Sequence, residues 1–578
     1  MTNPRIPEAA TPATYLAPWQ AACLLRACQA PRLHRSLQRP LALRPLLLRS
    51  LPLRLLLRSL ACLSCAALTA CASGPDYVRP AMSTPAAFRE APPAGWKEAQ
   101  ARDRLPKGRW WTVYGDPLLD ALADQAMAAN HTVEISEAAV RQARAQLQQT
   151  RSTRYPTLTG GLNASLSKGS VASAASAASA SGGIDGASST ASSESYRAVL
   201  DASWETDLWG RIRRSVEAGE AQLASAEADL ENARLSVGAE LARNYFDLRI
   251  LDAQRQLLDD TVQAYQRSLQ LTRNRYEGGV VPRVDVVQAE VQWKSTQAQL
   301  VDTGIIRTSI ETAIAVLAGQ VPSEFRIEPV AAAVERPRLD RPPPGDGSAR
   351  PAVQPVADYP GIPTVPVLPA GLPSDLLERR PDVAAAERAV AASSAQIGAA
   401  EAAYYPSLSL SASAGLRSSS FSELLRAPAW SWSPALSVLQ VLFDAGQRKA
   451  VTAQARAAHE SQVASYRQTV LQGFKEVEDN LSALRILEEE IGLQVETLAA
   501  ARLALQLVTN QYQAGVVNYL GVLTAQTSAL NTERSLLDLR GRRLTASVAL
   551  IKAVGGGWQG FEAEGGRRAA ALSERTGG

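Results

Sequence analysis

No cysteine occurs after residue 71. Cys23, Cys28, Cys62, Cys65 and Cys71 are the complete set in 578 residues, so neither disulfides nor thiolate metal sites can hold together what folds downstream. Histidine is nearly as scarce: His34, His131 and His459 are the only three. None sits in a metal-ligand pattern, and His131 and His459 read as surface residues. The chain has no phosphate-cradling Walker loop, dinucleotide fingerprint or serine elbow. "GGIDGASS" at 182–189 is glycine-rich but lacks the strand and helix that phosphate binding needs. Catalytic residues, a metal and a cofactor are therefore not expected. Basic charge is also missing where it would count. Nine Arg and a single acid, Glu8, fall in residues 1–70, which leaves 51 basic against 55 acidic residues downstream. The high isoelectric point thus belongs to the N-terminus, and nucleic acid is not an expected partner.

What the N-terminus does contain is a secretory pattern. Arg49, Arg54 and Arg58 precede the apolar run "LACLSCAALTA", which ends in small residues just before Cys71. The run is too short to span a membrane as a helix. Leu68, Thr69, Ala70 and Cys71 resemble the bacterial lipobox, which implies cleavage before Cys71 and acylation of its sulfur and new amino group, palmitate being one such acyl chain. An ordinary apolar signal that happens to contain a Cys is the alternative. Ala72 follows, with no Asp to suggest retention at the inner membrane, so the outer membrane is expected. Residues 1 to about 45 exceed a usual signal, and translation is expected to start downstream of Met1.

The mature chain repeats itself. "RYPTL" at 154–158 matches "YYPSL" at 404–408, an offset of 250, whereas "RYEGGVV" at 275–281 matches "QYQAGVV" at 511–517, an offset of 236. The smaller offset also pairs Gly210 with Gly446, Ala289 with Ala525 and Gly319 with Gly555. The 14-residue change therefore lies between the Tyr-Pro pair and Gly210. That interval holds "SVASAASAASASGGIDGASSTASSES", which has little to bury and reads as a loop tip, or as a linker.

The flanks of this loop alternate. Leu158, Gly160, Leu162, Ala164 and Leu166 share one parity before it; Ala198, Leu200, Ala202, Trp204, Thr206 and Leu208 share one after it. The second copy repeats the pattern with Leu408, Leu410, Ala412 and Ala414, then Trp430, Trp432, Leu436, Val438 and Leu442. Period two over roughly 9–11 residues suits a membrane-spanning strand, so each repeat is expected to supply one hairpin. Trp204, Trp209, Trp430 and Trp432 fit an interfacial girdle, with aromatic core packing as the alternative. Four strands cannot close a barrel, because an open edge in lipid leaves backbone groups unpaired. Strands must be pooled between chains, and this count alone leaves both a dimer and a trimer open.

Between the hairpins the periodicity is helical. Leu223, Ala226, Leu230, Ala233, Val237, Leu241, Tyr245, Leu248 and Leu251 recur at steps of three or four, and no Pro interrupts 211–276. Some 65 residues at ~1.5 Å each predict a helix nearly 100 Å long. "EGGVVP" at 277–282 and "QAGVVN" at 513–518 break the pattern and predict helix-turn-helix tips. The Pro-rich stretch 333–372 reads as an irregular layer outside the helices, or as a solvated linker. The expected organisation is a signal segment 1–70, a first repeat 71–330, a linker 331–372, a second repeat 373–558 and a flexible tail 559–578.

"CASGPDYVRP" at 71–80, "WWTVYGDPLLDALADQAMAAN" at 110–130, "LPSDLLERRPDVAAAE" at 372–387, "YPSLSLSASAG" at 405–415 and the two tips together resemble the TolC-type outer-membrane efflux proteins of the NodT- or OprM-like lipoprotein branch. The resemblance implies a mainly α protein with a membrane β-barrel. In that family a homotrimer pools four strands per chain into twelve, above an α-helical periplasmic tunnel. It also implies a passive exit duct, fed by an inner-membrane pump, RND type by expectation, through a periplasmic adaptor protein. By the same carry-over, Gly279, Val280 and Val281, with Gly515, Val516 and Val517, would meet the adaptor, exposed valines supplying apolar area. Leu520 and Thr524 would stand where relatives narrow the pore with Leu and Asp. Thr524 replaces that Asp, which leaves Asp285 as a possible charged substitute, although a solvated helix-face Asp is the plainer reading. The same architecture also serves ABC-driven protein secretion, and a lipid-anchored trimeric coiled-coil scaffold is the reading from a different class.

Overall fold

The computed structural model describes residues 74–82, 89, 108–170, 190–329, 362–366, 379–424 and 430–556. The acylation candidate Cys71, most of the Pro-rich segment, the centre of the first hairpin loop and the tail lie outside them. Helices α1 (Pro117–Ala129) and α2 (His131–Ser152) lead into strands β1 (Thr157–Ser170) and β2 (Thr190–Thr206), and then into the long helices α3 (Arg211–Glu277) and α4 (Arg283–Leu317). The second repeat supplies α5 (Pro381–Ala402), β3 (Ser407–Ser418), β4 (Trp430–Leu439), α6 (Gln447–Gln513) and α7 (Tyr519–Ala553). The two registers of the sequence repeat reappear as element boundaries. α2 and α5 begin and end 250 residues apart, and α3/α6 and α4/α7 begin and end 236 apart. α3 and α6 are each 67 residues long, about 100 Å, and α4 and α7 are each 35.

Local chemistry explains where the helices start. Pro117 opens α1 behind Asp116, whose carboxylate accepts from the amides of Leu118 (2.9 Å) and Leu119 (3.3 Å). Asn130 does the same for α2, accepting from Thr132 (2.8 Å) and Val133 (3.3 Å). At the root of the first hairpin, Asp207 accepts from Ile212 and Arg213 at 3.0 and 2.8 Å, and so caps α3 from outside the helix.

The four strands form one antiparallel sheet in the order β1-β2-β3-β4, with β2 and β3 joining the two hairpins. Even-numbered residues share one face throughout. Leu162 opposes Ala198, Leu200 opposes Ala414, Leu410 opposes Leu436 and Ala414 opposes Trp432. β4 ends at Leu439, short of the Leu442 included in the alternation above; Leu442 and Phe443 follow it on an irregular, exposed stretch before α6.

The principal core lies at mid-height along the long helices. Trp110, Trp111 and Tyr114 of a short 3-10 turn pack with α1 against Tyr245, Phe246 and Leu248 of α3 and Leu544, Val548 and Ile551 of α7. Each such aromatic or aliphatic side chain contributes about 1.5–3 kcal/mol by leaving water. Tyr114 seals the junction, its ring 4.8 Å from that of Phe246 and its hydroxyl 2.7 Å from Ser547 Oγ. Of the Pro-rich segment, Ile362 and Val365 pack on this core.

Two equivalent joints hold each repeat's long helices to its short ones. Asn130 donates from Nδ2 to the Leu317 carbonyl at 2.8 Å, and Arg380, at the matching position, donates from Nη1 to the Ala553 carbonyl at 2.9 Å. Gly319 and Gly555 then turn the chain with φ of 70° and 88°. A side chain on Gly319 would overlap the Ala129 carbonyl, and one on Gly555 would crowd the Arg379 carbonyl. The joints differ in chemistry. Arg380 also bonds Asp382 (2.6 Å) and Glu476 (2.8 Å), and its stem passes over Gly473, where α3 carries Val237 at the equivalent position.

Candidate functional site

The inner ends of both repeats are built alike. At the end of α3, Gly279 takes φ 73°, its amide donates to the Tyr276 carbonyl at 2.9 Å, and the Val280 amide donates to Arg275 at 2.8 Å. At the end of α6, Gly515 takes φ 78°, with its amide on Tyr512 at 3.0 Å and that of Val516 on Gln511 at 2.9 Å. This is the Schellman pattern, which requires a left-handed residue at its centre. No atom lies within 4 Å of where a side chain on either glycine would begin, so conformation and not crowding selects glycine here. Pro282 and Asn518 then start α4 and α7.

The four tip valines do not share one role. Val280 and Val516 are 64% and 73% exposed, whereas Val281 and Val517 are half-buried in a cluster that includes Leu269, Tyr512, Tyr519 and Val522. The outward apolar area expected of four valines is thus supplied by two, and the other two hold the tips to one another. Tyr512 and Tyr519 meet edge to face at 5.5 Å. Arg275 caps them, donating to the Tyr512 carbonyl at 2.7 Å and lying 4.7 Å over its ring.

Asp285 departs most from expectation. The solvated helix-face reading is wrong: Asp285 is 6% exposed, in the first turn of α4. Burial pushes its carboxyl above the usual range, against the opposing pull of a hydrogen bond from the Tyr519 backbone and of the Arg275 charge. Asp285 therefore belongs to the packing between the tips, not to an open charged surface. Leu520 is half-exposed at 51%, and Thr524, also exposed, returns its hydroxyl to the Leu520 carbonyl at 2.9 Å. That hydroxyl is committed to its own helix.

At the opposite end, the sheet sorts its chemistry by face. Leu158, Leu162, Leu166, Leu436 and Val438 on the even face are all at least 65% exposed, a continuous apolar surface that water would not tolerate. Trp430 and Trp432 extend it at 62% and 70%. The other two tryptophans sit lower. Trp204 donates to the Arg154 carbonyl at 3.0 Å, and Trp209 donates to that of Pro406 at 2.6 Å while stacking on Tyr405. Rings with one polar tie and one apolar side suit a membrane boundary.

The segment that follows Cys71 is clamped to the helices. Gly74 lies so close to Gly398 of α5 that a side chain on it would overlap that backbone. Asp76 pairs with Arg214 at 2.7 Å, Arg79 with Glu387 at 2.9 Å, and Tyr77 packs on Val383, Val390 and Tyr466. Gly398 is about one helical turn from the end of α5 and hence close to the root of β3.

His131 pairs with Glu134 at 3.0 Å on the surface, and His459 lies 3.0 Å from Ser393 Oγ. Among the described residues, no three His, Cys, Asp or Glu side chains gather as a metal site would require. Sequence reasoning missed Arg275, Tyr512 and Tyr519 at the tips and Asn130 and Arg380 at the joints. The last two were discoverable, since they stand 250 residues apart within quoted motifs, Asn130 at the end of one and Arg380 just before Pro381 in the other.

Apolar-faced hairpins on 100-Å helical legs that end in paired apolar tips define a membrane-embedded duct protein. The chain belongs to the outer membrane efflux protein family, which it matches over residues 122–320 and 372–556. It is 30% identical to the cation efflux system protein CusC of Escherichia coli O6:H1 (strain CFT073), over 85% of this chain and 97% of that one. It is 28% identical to the pyoverdine export outer membrane protein OpmQ of Pseudomonas putida KT2440, over 82% and 94%. Among solved structures, the outer-membrane channel OprN superposes with a TM-score of 0.72 at 28% identity, over 84% of this chain and 99% of that one. The protein is accordingly an outer-membrane efflux duct, and its fold is that of the family's channels.

Proposed function

We propose that three copies of this chain form the exit duct of a tripartite export assembly, lipid-anchored at Cys71 and docked to a periplasmic adaptor through its four-helix tips. The observation that carries the docking is the duplicate tip. Two Schellman turns, each at the end of a 67-residue helix, each present one exposed valine, Val280 or Val516. Equal legs bring both tips to one level, where hairpins of a single adaptor type can read either. The pump behind the adaptor is of RND type in this reading, and the duct itself is passive. Adaptor binding opens it only by preferring the open arrangement of the helices. Leu520 supplies the apolar constriction, flanked by Thr524, while Asp285, buried between the tips, weakens their packing when ionised.

Two observations support self-association. Strands β1 and β4 are both sheet edges in the single chain, and an edge in lipid must be paired. The most apolar 18-residue window of α6 has a mean hydropathy of 1.3, yet only 6% of it is buried within one chain. A neighbouring copy would cover both. The clamp from Gly74 to Arg79 supports the anchor, since Gly74 stands beside the sheet root and follows Cys71 by three positions in the sequence, a reach of at most roughly 10 Å.

The test is co-purification of the membrane-extracted protein with candidate adaptors and pumps, wild type against Gly515→Trp. Capture of an adaptor with a proton-driven pump, lost in the variant, is the expected result. Capture of an ABC exporter instead would reassign the duct to protein secretion. A trimer that captures neither and gives no conductance in planar bilayers would overturn the duct in favour of a scaffold.

A further inference from the structure

The polar face of the sheet is rich in serine, with one exception in its outer half. Arg197 of β2 stands directly opposite Arg417 of β3, and Asn163 of β1 completes the row. Both arginines are exposed, and neither forms an ion pair with a described residue. Like charges directly opposite destabilise a sheet, and the surrounding positions show that serine would serve. No acid stands beside the pair on that face. The nearest, Asp201, is four residues along β2, about 14 Å at the usual strand rise.

The row beneath is almost bare. Val199 has Gly161 on one side and Gly415 on the other, so the guanidinium groups overlook a shallow trough with one small side chain in it. Two guanidinium forks above an open floor, with no carboxylate of the described residues beside them on that face, match the geometry of a carboxylate, sulfonate or phosphate lying between them. The geometry points to a binding site for anionic groups at the outer mouth of the duct, formed by Arg197 and Arg417. This inference rests on the reading of the sheet as one third of a barrel. In that barrel the apolar even face meets lipid, the arginines face the lumen, and the three copies set six guanidinium groups at one level. Anionic cargo, or anionic groups on otherwise neutral cargo, would be held there briefly before release. Because the lumen is wet, the binding is weak and screened by salt.

The probe is a trianionic methoxypyrene trisulfonate, whose charge does not change with pH. Its fluorescence anisotropy is titrated with detergent-solubilised wild-type trimer, R197S/R417S and R197K/R417K, at low and high salt, and the conductance of each is checked in planar bilayers. The expected result is saturable binding to wild type that salt suppresses. R197S/R417S should weaken it at least tenfold with unchanged conductance, and the lysine variant should retain part of it. A conducting R197S/R417S trimer that binds the dye as wild type does would overturn the site alone. A wild-type protein that forms no conducting trimer would overturn the barrel reading, and the site with it.

Discussion

Arg380→Met should loosen the second joint more than Asn130→Ala loosens the first, although the two residues occupy equivalent positions. The Arg380 side chain is 7% exposed, while Asp382 and Glu476 retain 26% and 36%. Removing one member of a buried ion pair costs about 3–5 kcal/mol, and partial hydration of the two acids places this site near the lower end. Asn130→Ala forfeits a helix cap and one hydrogen bond, about 1 kcal/mol each. The assay is the rate at which purified trimer is lost on heating in detergent, since unfolding of such a protein is a kinetic quantity. Losses of about 3 and 2 kcal/mol correspond to upper limits near 150-fold and 30-fold in that rate. A sharper version exchanges the joint chemistries. Gly473→Val alone would press on the Arg380 stem, whose Cδ lies 3.3 Å from where a side chain on Gly473 would begin, and Arg380→Asn alone would leave a hole. The double variant restores the first repeat's pairing of Asn130 with Val237 and should be more stable than the sum of the single losses by at least about 1 kcal/mol. Strict additivity, or a milder effect of Arg380→Met than of Asn130→Ala, would refute the reasoning.

Asp285→Asn should stabilise the tips at neutral pH. Burial raises the folded carboxyl above its ordinary 3.8, so the folded state binds the proton more tightly. The associated stability is complete below that value and is lost as pH climbs through the raised one. The gain from Asn should therefore shrink towards nothing at acid pH, and an equal gain at pH 3.5 and pH 7.5 in trimer heat-loss rates would count against it. Leu162→Arg, on the apolar face, should block insertion at a cost of about 2–4 kcal/mol if it lies near the bilayer midplane, whereas Ser165→Arg on the other face should insert normally. Trimer yield in outer-membrane fractions decides the matter, with equal yields as the refuting result. Gly515→Asn should preserve the tip turn better than Gly515→Ala, because asparagine tolerates φ near 78° and alanine does not. Susceptibility of the tip to proteolysis measures this, and a tougher Ala variant would be the contrary finding.

The architecture was legible where a single period repeats over a long stretch. The extent of α3 followed from the proline-free run 211–276, and the hairpins followed from alternation seen twice. Boundaries decided by hydrogen-bond partners were not. β4 stops at Leu439 although apolar residues continue to Phe443, because no described strand accepts them beyond Ser407. Site chemistry was harder, since burial is a property of two elements at once. Asp285 looks solvated when α4 is taken alone, and its burial appears only with α7 in place, where the Tyr519 backbone reaches its carboxyl. The split among the tip valines has the same origin. The sequence presents "GVV" twice, and only the packed pair of tips shows that the second valine of each joins the cluster around Tyr512 and Tyr519.

The matched helix lengths impose bookkeeping on any change in reach. α3 and α6 are equal, as are α4 and α7, and both tips hang from joints at one height. Deleting one heptad from each of the four helices would raise the whole rim by about 10 Å and leave it flat. The same deletion in one repeat alone would stagger the rim by that distance, and every second docking place would be out of step with its neighbours. A duct of this kind can be retuned to a deeper or shallower periplasm only by paired insertions and deletions, so its two halves must change length together while remaining free to diverge in side chains.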